Sequence, residues 1–141
     1  IPRVRLGASE VAVIAGLFST PGHATVHGPI AGGATDPVYL DVALAPGSTL
    51  QMSLPDTHTA LIYVYEGALS VGAQAIAKGT LGRLGEGDSV ELTTADTSSR
   101  ALVLAGKPLR EPVVAYGPFV MNTTAEIEQA VRDYRSGRLT A

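Results

Sequence analysis

The chain has 141 residues, of which 45% are hydrophobic and 16% charged, a balance that argues for a packed globule and against disorder. Ten basic and 13 acidic residues leave a net charge of −3 with no basic cluster, which sets nucleic acid aside as a direct partner. With no cysteine there is neither a disulfide framework nor a thiolate metal site, and no apolar run approaches the ~20 residues that span a bilayer, so a membrane partner is not expected either.

The start, Ile1 to Gly7, reads as a short extended segment, with Pro2 suited to an edge. Val11 to Ala15 reads as a second strand, stopped by Gly16. Ser19 to Pro37 is dense in Gly, Pro, Thr and His, and at ~19 residues it is either a functional loop or holds short irregular strands. Alternation then becomes regular. Val38, Leu40, Val42 and Leu44 share one face, with Tyr39, Asp41 and Ala43 on the other. After the Pro46-Gly47 turn, of type II character, Leu50, Met52 and Leu54 repeat the pattern.

His58 to Gly72 forms the centre of the chain. Leu61 to Tyr65 is an unbroken apolar and aromatic run, expected to be covered on both faces. Glu66-Gly67 reads as a tight turn and Leu69 to Val71 as the returning arm of a hairpin. Ala75 to Ala77, Thr80 to Leu84, Val90 to Leu92 and Ala101 to Ala105 supply further strands, with a strong turn at Gly85 to Asp88. Roughly nine or ten short strands at ~10-residue spacing predict an all-β antiparallel sandwich or barrel. One helix is expected near the end, about residues 123–136. Thr123 and Glu126 have the spacing of a capping box, Ile127, Ala130, Val131 and Tyr134 form an apolar stripe, and Gly137 suits the C′ position.

The candidate chemistry is sparse. A catalytic metal needs about three well-placed ligands, and the chain has three histidines. His23 and His27 lie in the Gly/Pro loop, where solvent exposure is the plainer reading. His58 precedes the central strand and reads first as a turn residue. Asp41 is expected on a solvated outer face, and Glu66 as part of the turn. Tyr39, Tyr63 and Tyr65 could line a barrel mouth, although rings on strands usually serve as core or surface ladder. The Gly-rich turns lack the lysine and helix start of a phosphate loop. One enzyme reading survives: a stand-alone barrel that binds an aromatic small molecule through His58, Tyr63 and Glu66.

The strand run with its Tyr63-Val64-Tyr65-Glu66-Gly67 and Gly85-Glu86-Gly87-Asp88 turns resembles the cupin jelly roll. The tail is more specific: Gly106-Lys107-Pro108-Leu109-Arg110-Glu111-Pro112-Val113, then Tyr116-Gly117-Pro118-Phe119-Val120-Met121-Asn122-Thr123, then Asp133-Tyr134. These residues are similar to the C-terminal half of the pirin family, and the likeness runs over nearly the whole chain. It implies a single cupin-type barrel over 1–141 with one C-terminal helix, taken from a two-barrel protein. The start at Ile1 fits a fragment whose N-terminal barrel is absent. In the family that barrel holds a metal, usually iron, on three histidines and a glutamate, two of the histidines from an H-P-H-R-G motif. Aligning the Glu66-Gly67 turn with its counterpart puts Ser53 and Pro55 at those two positions. No metal ligand, cofactor site or catalytic residue therefore transfers to this chain. The resemblance implies a metal-free structural and interaction half. The whole protein would act as a quercetin 2,3-dioxygenase or a transcriptional co-regulator in the cytoplasm. The expected partners are the N-terminal barrel, a second copy of the chain, or other proteins; whether the chain itself is an enzyme stays open.

Overall fold

The computed structural model describes residues 1–140, and its fourteen strands and one helix all lie among them. Up to Pro108 the chain forms one compact unit, and from Leu109 a second. The first unit holds β1 (Arg3–Leu6), β2 (Ser9–Ala15), β3 (Leu17–Phe18), β4 (Val26–His27), β5 (Val38–Leu44), β6 (Thr49–Ser53) and β7 (Thr59–Glu66). It continues with β8 (Ala68–Val71), β9 (Gln74–Ala77), β10 (Thr80–Arg83), β11 (Ser89–Thr93) and β12 (Ser99–Gly106). Two antiparallel sheets result: six strands in the order β1-β2-β5-β12-β7-β10, and four in the order β6-β11-β8-β9. This is the jelly-roll arrangement.

The alternating residues supply the core as their period requires. Val38, Leu40, Val42 and Leu44 of β5, Leu50 and Met52 of β6, and Val90 and Leu92 of β11 are all buried. Ile62 and Val64 of β7 meet Val103 and Ala101 of β12 in register, and all four are fully buried. Phe18 of the two-residue β3 adds a ring at 1% exposure. Burial on this scale contributes about 25 cal/mol per Å² of apolar surface removed from water.

Leu61 to Val71 is not the expected hairpin. β7 belongs to the six-stranded sheet and β8 to the four-stranded one. Glu66-Gly67 is where the chain leaves the six-stranded sheet and enters the four-stranded one. Gly67 takes φ 68°, and a Cβ there would run into the Ser98 carbonyl oxygen. The glycine is required by close approach as well as by φ. A period-2 pattern cannot separate a reversal within one sheet from a switch between two, because the buried side stays buried in both. Nor is β7 covered on both faces: Tyr63 is 37% exposed on the outer side.

The Ser19 to Pro37 segment does contain a short strand. β4 pairs with β3, Leu17 opposite His27 and Phe18 opposite Val26. The segment is tied to the barrel by Thr20 Oγ1 donating to Gln51 O (2.6 Å) and Ser53 N donating to Ser19 O (3.0 Å).

The second unit contains a hairpin that alternation does not reveal, β13 (Val114–Tyr116) and β14 (Phe119–Met121), turned at Gly117-Pro118. The helix α1 (Thr124–Arg135) packs on that hairpin. Thr123 is the N-cap, and its hydroxyl accepts from the Glu126 amide while the Glu126 carboxylate accepts from the Thr123 amide (2.8 Å). Gly137 follows the helix at φ 70°, and its amide donates to Tyr134 O. Ile127 and Ala130 are buried, whereas Tyr134 is 69% exposed, so the apolar stripe is narrower than its sequence spacing suggests.

Candidate functional site

Two places on the first unit concentrate polar chemistry. The first is a cavity of about 320 Å³ where the β6–β7 connection, the β8–β9 turn and the β10–β11 connection meet. Its apolar floor includes Leu54, Ala60 and Val90, all buried, and Val71 and Leu84, half-buried. His58 forms part of the wall, with a side chain only 4% exposed. Glu86 and Glu91 stand at the rim and are exposed.

Both ring nitrogens of His58 have partners. Nε2–H donates to the Asp36 carbonyl oxygen (2.8 Å), which in the neutral ring leaves Nδ1 to accept from the Thr57 hydroxyl (3.3 Å). The ring thereby clamps Asp36, which sits at φ 42° at the end of the long loop. A carbonyl can only accept, so Nε2 carries a proton toward Asp36 while Nδ1 faces the Thr57 hydroxyl. His58 is a structural tie between loop and barrel.

The second place is the outer face of the six-stranded sheet. Strand register lays two rows across it: Tyr39, Leu104 and Leu61, and Asp41, Leu102, Tyr63 and Leu81. At one end of the face Tyr65 Oη donates to Asp41 Oδ1 at 2.6 Å. Arg100 Nη2 donates to Asp41 Oδ2 at 3.3 Å, and its guanidinium lies 5.3 Å from the centre of the Tyr65 ring. Burial, the Asp41 hydrogen bond and the Asp41 and Glu66 charges push the Tyr65 hydroxyl up to about 12, against the pull of Arg100. Asp41 does lie on the outer face, but as a half-buried acceptor for two partners rather than a solvated carboxylate.

The three residues singled out for an aromatic-ligand pocket do not converge. His58 lines the cavity, Tyr63 points outward from the middle of the sheet, and Glu66 is exposed at the end of β7. His23 and His27 are exposed, His23 Nδ1 lying 3.3 Å from Pro21 O. Sequence reading missed the Tyr65–Asp41–Arg100 cluster because Asp41 and Arg100 are 59 positions apart; the only signal was a carboxylate interrupting an otherwise apolar face.

Among the described residues, no group of three or more His, Cys, Asp or Glu is placed to hold a metal ion. Ser53 is exposed, Pro55 offers no donor side chain, and the His58 nitrogens are engaged. These residues do not fit an iron ion.

Residues 39–140 match the family model of the pirin C-terminal cupin domain. The chain belongs to the pirin family. A Pseudomonas aeruginosa protein named as a candidate quercetin 2,3-dioxygenase is 47% identical over 99% of this chain and 50% of its own length. Human pirin is 41% identical over 74% of this chain and 38% of its own length. The crystal structure of a quercetin 2,3-dioxygenase from Acinetobacter baumannii superposes with a TM-score of 0.82 at 35% identity, covering 99% of this chain and 48% of that one. The likeness confirms the cupin jelly roll. The chain spans about half the length of these pirin-family relatives or less. No helix among the described residues is long and apolar enough to cross a membrane.

Proposed function

We propose that this chain is the metal-free half of a two-barrel pirin-family protein, and that its work is to support and present surface to the other half. The observation that carries the reading is the state of His58: it is the one histidine with a buried side chain, and both of its nitrogens are used to hold the long loop. Its neighbours offer no ligand set to replace it. The outer face of the six-stranded sheet, with Leu61, Leu102, Leu104, Tyr63 and Leu81 in register and the Asp41 cluster at one end, is the surface we assign to the partner barrel. Contiguous exposed apolar residues such as Tyr63 and Leu81 are characteristic of interaction sites. Iron, and any quercetin 2,3-dioxygenase or co-regulator activity of the whole cytoplasmic protein, would then reside with the other half. Without that cover, the same face would pair copies of this chain, and light scattering would report a dimer.

Calorimetric titration of the 141-residue chain with Fe²⁺, Ni²⁺ and Zn²⁺ tests the reading. The expected result is no stoichiometric binding and no turnover of quercetin. Tight binding at one ion per chain would overturn it.

A further inference from the structure

We propose that the cavity walled by His58 is a binding site for a small organic amine with an apolar body. Three observations lead there, and none depends on how this half pairs with the other. First, the cavity is concave and of ligand size: about 320 Å³ lies at the small end of the 300–1,000 Å³ typical of ligand pockets. That suits a single ring with a short side chain. Second, its floor is built from Leu54, Ala60, Val71, Leu84 and Val90, so an apolar body entering it is removed from water against apolar side chains. His58 closes the wall as a fixed plane, since its ring is tied on both sides.

Third, the rim carries one sign of charge. Glu86 and Glu91 line the cavity, no lysine or arginine does, and neither carboxylate has a side-chain hydrogen-bond or ion-pair partner among the described residues. An anionic ligand would meet two like charges. A neutral apolar ligand would fill the floor and leave the two rim carboxylates without a counter-charge. A protonated amine at the mouth supplies donors to the rim while its body occupies the floor, and charge-assisted hydrogen bonds are the stronger kind. The Ser89 hydroxyl at the same rim offers a further acceptor. The ligand would be held without metal chemistry, and it would contact the residue that anchors the long loop at Asp36.

The test uses the 141-residue chain and three probes of one shape: 2-phenylethylamine, 2-phenylethanol and 3-phenylpropionate, at low salt and about pH 7, where ordinary carboxylates are charged. Binding is followed by calorimetry and by amide chemical shifts. The expected result is saturable binding of the amine, with shifts centred on Val71, Leu84 and Val90. The alcohol should bind at least about tenfold more weakly, and the carboxylate not measurably. Both rim carboxylates are exposed, so Glu86→Gln with Glu91→Gln should leave the fold intact and weaken the amine about tenfold. Val71→Phe, which fills the floor, should abolish binding. Three outcomes would overturn the proposal: equal affinity for alcohol and amine, amine shifts scattered away from the cavity, or amine affinity unchanged in the double glutamine variant.

Discussion

Replacing Gly67 by alanine isolates what the crossing between sheets demands of the chain. At φ 68° a left-handed residue with a side chain costs about 1–2 kcal/mol. The added Cβ would overlap the Ser98 carbonyl oxygen and lie 3.1 Å from Ser99 Cα, so that strand must shift, at about 1–2 kcal/mol for an overpacked contact. Ser99 is 1% exposed and its hydroxyl donates to Glu66 O at 3.1 Å, a bond worth about 1 kcal/mol that the shift would lose. Stiffening the unfolded chain returns about 0.7 kcal/mol. The net is a loss of about 3 kcal/mol. Gly47 is the control: it has φ 66° but nothing within 4 Å of a built Cβ, so Gly47→Ala should lose only about 1 kcal/mol. With a urea slope of about 2 kcal/mol/M, the unfolding midpoints should fall by about 1.5 M and about 0.5 M respectively. Equal drops for the two variants would refute the claim that close approach to β12, rather than backbone angle alone, makes residue 67 a glycine.

Other perturbations probe the remaining parts. Leu92→Ala, at a fully buried position, should cost about 3–4 kcal/mol, whereas Leu81→Ala, at 57% exposure, should stay within about 0.5 kcal/mol; denaturant titration of both gives the contrast. Thr123→Ala should remove about 1 kcal/mol from the helix, seen as faster amide exchange across residues 124–135. The Tyr65 hydroxyl, raised from 10.0 to about 12, binds its proton more tightly in the folded state. Its contribution to stability is therefore complete below the unfolded value and lost as pH rises through the interval from about 10 to about 12. An ultraviolet titration should show a late tyrosinate that Tyr65→Phe removes and Asp41→Asn moves to lower pH; a late transition unchanged in Asp41→Asn would contradict the assigned cause.

What the sequence made legible followed the period of its side chains. Val38 to Leu44, Leu50 to Leu54 and Val90 to Leu92 alternate cleanly, and their inward sets are the buried ones. The capping box at Thr123 and the glycine at 137 were readable because each acts over a few residues. The switch of sheets at Gly67 was not, since burial alternates identically on either side of it. β3, at two residues, is too short to show a period. The hairpin β13–β14 was missed for a different reason: Val114, Phe119 and Met121 are only half-buried and Tyr116 and Val120 exposed, so no apolar face marks it. At the candidate site, His58 was visible as a lone imidazole, but its engagement with Asp36 depends on a contact 22 positions away. The Tyr65–Asp41–Arg100 cluster needs three strands in register before it exists.

The strand order has a consequence for how the chain is made. β12 lies between β5 and β7, and β11 lies between β6 and β8, so each sheet receives a central member from residues 89–106. A ribosome releasing this polypeptide exposes β5, β6, β7 and β8 with their hydrogen-bonding edges open until those two late pieces arrive. Neither layer can zip up early and wait for the other. The interval before residue 106 emerges is when the nascent chain is most prone to stick to its neighbours, and when a chaperone would matter most.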